Sequence, residues 1–122
     1  KIKKNGRSGI ELELTSNPDI LAWAGEHKRP DQTLCGFAME TLYIEANAAK
    51  KLNAKHCDML AANNLRTPGA GFAADTNVVT VLTPGETADR PSIERWSKMG
   101  KDALAKRILV KLAAMRADGE RR

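Results

Sequence analysis

Residues 34–64 constrain the fold most, because they read in order as strand, turn, helix and strand. Residues 33–38 form a short apolar run of the kind found in buried parallel strands, residues 42–57 follow a helical period, and residues 58–62 are apolar again. On the predicted helix, Leu42, Ala46, Ala49 and Leu52 recur at helical spacing and are expected to form the core stripe. A second, partly polar stripe of Ile44, Ala48, Lys51 and Lys55 flanks it. Lys51 and Lys55 lie one turn apart on one helix face, so their ammonium groups could address a single polyanion. Spacing alone favours a solvated helix face for this pair, and its standing as a phosphate clamp needs a further argument. Gly36 carries no side chain, which lets a backbone or a ligand approach the first strand closely.

Upstream, Ile10, Leu12 and Leu14 alternate with Glu11 and Glu13, the two-residue period of a strand with one wet face. Residues 16–19 then offer a capping residue, a proline for the first helical turn and an acidic residue beside the positive helix end. A helix is therefore expected from about 18 to 27, with Ile20, Leu21 and Ala24 facing inward. Downstream, residues 63–77 form a loop dense in Gly, Pro and Asn, of a length that usually signals function or mobility. Residues 78–82 predict a β-branched strand, 83–86 a turn and 90–96 its hairpin partner. From Ser97 a last helix should turn Leu104, Ile108, Leu112 and Met115 inward and Lys101, Lys106 and Lys111 outward, leaving 118–122 as a disordered tail. This alternation argues for an α/β fold: a Rossmann-like, mainly parallel sheet flanked by helices, with a β-hairpin extension. Ligands of such sheets sit beyond the carboxyl ends of strands, here near residues 37–40 and 63–71.

A chain of 122 residues is one domain, and no apolar run approaches the roughly 18 residues of a membrane helix. The basic start, residues 1–9, leads into no signal core, so a soluble, cytoplasmic protein without a membrane partner is expected. Twenty basic against fifteen acidic residues give a net charge of +5, concentrated toward both ends. That charge favours anionic partners in general, but aromatic residues at 4% are too few for the stacking platforms of a single-strand binder, and no nucleic-acid partner is expected. Cys35 and Cys57 have neither disulfide nor zinc spacing and read as buried structural thiols, and His27 and His56 read as surface residues. Neither the dinucleotide-binding glycine pattern nor the phosphate-binding P-loop is present.

The order of short motifs adds what spacing lacks. Lys1-x-Lys3-Lys4, Asn17-Pro18-Asp19-Ile20-Leu21, Gly36-Phe37-Ala38-x-Glu40-Thr41, Lys51-x3-Lys55, Asp58 with Ala62-Asn63, and Gly71-Phe72-x-x-Asp75-x-Asn77 follow one another along the chain. In this order they resemble the carboxyl half of bacterial phosphopantothenate-cysteine ligase over residues 1–117. That unit is often fused behind a flavin-dependent decarboxylase, and FMN would belong only to such a fused half. The resemblance implies coenzyme A biosynthesis: CTP, with Mg²⁺, activates 4'-phosphopantothenate as an acyl-cytidylate, and cysteine then displaces CMP. It implies CTP contacts at Lys1, Pro18, Asp19, Ile20, Leu21, Phe37, Lys51 and Lys55, with Lys1 the catalytic lysine on a mobile loop. It also implies a homodimer with the acyl substrate near the subunit interface. The family's amino half, with the first nucleotide-binding turn, has no counterpart in these residues, so the chain is expected to be inactive alone. The competing expectation is a non-catalytic α/β nucleotide-binding or assembly module.

Overall fold

The computed structural model describes residues 8–66 and 76–120. Their elements are α1 (Ile20–His27), β1 (Cys35–Glu40), α2 (Ile44–Ala54), β2 (Met59–Asn64), β3 (Thr76–Thr87), β4 (Arg90–Gly100) and α3 (Lys101–Glu120). The four strands form one sheet in the order β1-β2-β3-β4. The crossover through α2 makes β1 and β2 parallel, with Cys35 opposite Met59 and Glu40 opposite Asn64. β3 and β4 are added antiparallel, so the α/β class and the appended hairpin stand while the sheet is mixed.

Side chains of successive strand residues point to opposite faces, and both faces of this sheet are covered. Ala38, Leu60, Ala62 and Leu82 pack with Ala48, Leu52 and Cys57 under α1 and α2. On the other face Met59, Ala61, Val79, Val81 and Trp96 pack against Leu104 and Ile108 of α3. The first four residues of β2 are buried in sequence because alternate ones serve the two clusters, which explains the unbroken apolar run. Leu52, Met59, Leu60 and Leu82 are fully enclosed, and each such side chain stabilises the fold by about 1.5–3 kcal/mol.

Several expectations are corrected by the tertiary arrangement. Residues 10–19 adopt no regular structure, and Ile10, Leu12 and Leu14 are exposed: the alternating pattern has no neighbouring strand among the described residues to bond with. Helix α1 begins after Asp19, not at Pro18, because the Asp19 carboxylate accepts the Ala22 N–H at 3.0 Å and serves as the cap itself. Leu21 packs inward as expected, whereas Ile20 points to solvent. On α2 the buried stripe is turned from the expected one: Ala48 and Leu52 are enclosed with Ile44 and Ala49 beside them, and Leu42 and Ala46 are exposed. Leu42 lies before the helix, in the turn where Tyr43 adopts a left-handed conformation, so helical spacing does not apply to it.

The hairpin turns at residues 88–89 instead of 83–86, as β3 runs on through Pro84 and Gly85. A register shift between Thr83 and Thr87 absorbs the proline, which has no N–H for a ladder. Ser97 caps nothing: β4 continues to Gly100, opposite Thr76, and α3 starts at Lys101. Residues 118–120, expected as tail, are the last turn of α3, and residues 121–122 lie outside the described part.

Candidate functional site

Two glycines let α1 dock closely. A Cβ on Gly36 would stand 2.8 Å from Leu21 Cδ2 and 2.8 Å from Leu60 Cδ1, so the approach expected at Gly36 is that of the protein's own leucines. A Cβ on Gly25 would stand 1.8 Å from the Lys55 carbonyl oxygen, which puts the α1 backbone directly on the end of α2. This contact seats the second half of α1 on the end of α2, and the Lys55 side chain reaches back to Asp19 at the start of α1.

Four charged side chains line that junction. Lys55 Nζ lies 3.2 Å from Asp19 Oδ2, while Asp19 Oδ1 holds the helix start. One turn earlier on α2, Lys51 Nζ donates to Glu40 Oε1 at 2.6 Å. Glu40 ends β1, and it is the one buried charged residue among the described residues, with 8% of its surface accessible. A carboxylate at that depth without a partner would cost several kcal/mol, so Lys51 is part of what permits it there. The Lys51 side chain itself remains 40% exposed. The Ala22 N–H and then the Lys55 ammonium hold the Asp19 carboxyl below the usual carboxylate range. The two lysines are thus tethered by different elements: Lys51 to the sheet and Lys55 to α1. The Asp19 carboxylate already occupies the N–H end of α1, so the two lysines are the cationic groups of this edge.

Among the residues expected to meet a nucleotide, Asp19, Lys51 and Lys55 are brought together, with Pro18, Ile20 and Leu21 adjoining them at the start of α1. Phe37 is not with them. Glu40 and Gly36 face α1 and α2, so strand alternation turns Phe37 to the opposite face of the sheet. There its largely exposed ring borders an apolar hollow of about 300 Å³ with Met39, Leu104 and Ile108. Lys1 and residues 67–75 lie outside the described part. Glu40 is the site residue that sequence reasoning passed over. Its signal was an acid at an inward position of an otherwise apolar run, with a lysine on the facing helix eleven residues later.

Elsewhere, Lys28 Nζ meets Asp58 Oδ2 at 2.9 Å, and the same oxygen accepts the Leu34 N–H at 2.7 Å, which closes the opposite end of the β1–β2 pair. Cys57 is buried as expected whereas Cys35 is half-buried; desolvation pushes the Cys35 thiol up to about 11 and raises Cys57 as well, which keeps both in the unreactive thiol form at neutral pH. His27 and His56 are exposed, with His27 stacked on Trp23 at 4.2 Å. Among the described residues no three His, Cys, Asp or Glu side chains group to hold a metal, and no helix is long and apolar enough to cross a membrane.

The fold and this edge define an α/β unit with two lysines one helical turn apart beside a helix start. The chain belongs to the DNA/pantothenate metabolism flavoprotein C-terminal domain family, whose sequence profile matches residues 1–115. It is 50% identical over 82 residues to the coenzyme A biosynthesis bifunctional protein CoaBC of Bacillus subtilis (strain 168), a match that covers 67% of this chain and 20% of that protein. It is also 34% identical over 103 residues to a cysteine/cysteine sulfinic acid decarboxylase from an unknown prokaryotic organism, covering 84% of this chain and 29% of the relative. Among solved structures, the C-terminal domain of a CoaBC protein superposes with a TM-score of 0.69 at 36% identity, covering 87% of this chain and 48% of that one. The chain therefore spans about half of the solved domain and about a fifth of the Bacillus relative.

Proposed function

We propose that this chain is the carboxyl half of the nucleotide site of a phosphopantothenate-cysteine ligase in coenzyme A biosynthesis. The observation that carries the reading is the junction of α1 and α2, where Lys51 and Lys55 stand one turn apart beside the helix start. The substrates are CTP, 4'-phosphopantothenate and cysteine. The carboxylate of phosphopantothenate attacks the α-phosphorus of CTP and pyrophosphate leaves. The cysteine amine then attacks the acyl carbon, CMP leaves, and the amide is formed. Lys51 and Lys55 bind the triphosphate and offset the charge that gathers on the departing pyrophosphate, and Lys1 is the catalytic lysine. Mg²⁺ arrives bound to CTP as part of the substrate.

The unit acts with an amino half and as a homodimer. In support of the amino half, β1 is the edge of the sheet among the described residues, with unpaired backbone groups on its outer side, and the solved relative has about as much chain again. The test is reconstitution: the chain is mixed with an amino-half polypeptide, the three substrates and Mg²⁺, and release of pyrophosphate and CMP is followed, with ATP replacing CTP in a parallel assay. Cysteine-dependent CMP release that Lys51→Ala abolishes is expected. A folded, assembled pair that binds CTP without turnover would instead establish a non-catalytic nucleotide-binding module.

A further inference from the structure

Glu40 has the features of a group whose work is to hold another. It terminates β1, and its backbone is fixed on both sides: its carbonyl accepts the Leu65 N–H at 3.1 Å, and its Cα is in register with Asn64 of β2. Strand alternation aims its side chain at α2, and only 9% of that side chain is accessible, so few rotamers are open to it. One carboxylate oxygen is 2.6 Å from Lys51 Nζ. An ammonium group has three donors; this contact engages one, and 40% of the Lys51 side chain is accessible. Lys55 is held differently, by the more exposed Asp19 at the helix start.

We infer that Glu40 is a positioning residue that fixes the Lys51 ammonium for polyphosphate binding, an inference that rests on the nucleotide-site reading above. A free lysine loses most of its rotamer freedom when it binds a phosphate; one already tethered to the sheet loses less. The proposal opposes simple electrostatics. Glu40→Gln makes the site one unit more positive and keeps the shape, so charge alone would tighten polyphosphate binding. Loss of positioning weakens it.

The test has two arms, both run beside thermal melts of each variant. In the first, the 122-residue chain is treated with an amine-acylating reagent, and the rates at Lys51 and at the neighbouring, exposed Lys50 are read by peptide mass spectrometry. Glu40→Gln is expected to accelerate Lys51 several-fold and leave Lys50 unchanged; an unchanged Lys51 rate overturns the inference whatever the protein's activity. In the second, the chain assembled with its amino half is titrated with CTP and Mg²⁺ and assayed. Glu40→Gln and the shorter Glu40→Asp are expected to raise the Kd and KM for CTP about tenfold, with the KM for cysteine unmoved. Equal or tighter CTP binding by Glu40→Gln overturns the inference, and so does a parallel rise in both KM values, which marks a merely structural role. If the wild-type assembly binds no CTP, the nucleotide-site reading fails and the inference is overturned with it. The acylation arm still reports separately whether Glu40 restrains Lys51.

Discussion

Gly25→Ala sets two physical effects of opposite sign against each other at one atom. In an isolated helix, alanine in place of glycine is favourable by about 1 kcal/mol. At this position the added Cβ would stand 1.8 Å from the Lys55 carbonyl oxygen and 2.8 Å from its carbon, both backbone atoms that no rotamer change can move aside. Relieving the overlap requires α1 to retreat by more than about 1 Å, and forced repacking of that kind costs about 1–3 kcal/mol or more. The retreat also loosens Leu21 over Gly36 and draws Asp19 away from Lys55. A net loss of about 1–3 kcal/mol is therefore expected from urea unfolding followed by circular dichroism. Gly119→Ala is the control: a Cβ there meets nothing within 4 Å, so it should be neutral or slightly stabilising. If Gly25→Ala stabilises the protein as much as a free helix would be stabilised, the close docking of α1 on α2 is wrong, and with it the geometry of the lysine pair.

The lowered Asp19 pKa fixes the sign of a pH effect: its charge contributes to stability above the unfolded value near about 3.9, and the contribution disappears as pH falls through the lower folded value. The stability difference between the wild type and Asp19→Asn should thus be constant above about pH 5 and shrink below about pH 4, as read from chemical unfolding at each pH; a difference that persists at low pH would mean the ion pair is not its source. Cys35, with its thiol at about 11, should react with a disulfide reagent at a rate that still climbs beyond pH 9, whereas an accessible thiol levels off near that point; an early plateau would contradict its burial.

Three local signals in the sequence determined their elements. The apolar run of β2, the helical period after Tyr43 and the β-branched residues of β3 each specify an element through forces acting within a few residues. The strand-helix-strand order then leaves the parallel β1–β2 pair as the natural closure, and the lysine spacing places Lys51 and Lys55 on one face. Tertiary structure decided what depends on a distant neighbour. Ile10, Leu12 and Leu14 have the pattern of a strand but no described partner to pair with, so pattern alone did not make one. Asn53 Nδ2 donates to the Ala88 carbonyl at 2.9 Å, tying α2 to the tip of a hairpin that Pro84 and Gly85 seemed to end early. Phe37 was separated from the lysines by the thickness of the sheet, and Glu40 was joined to Lys51 on the face that α2 covers. The reason is the same in both cases: a strand's period sets which residues share a face, but only packing decides which face meets α1 and α2.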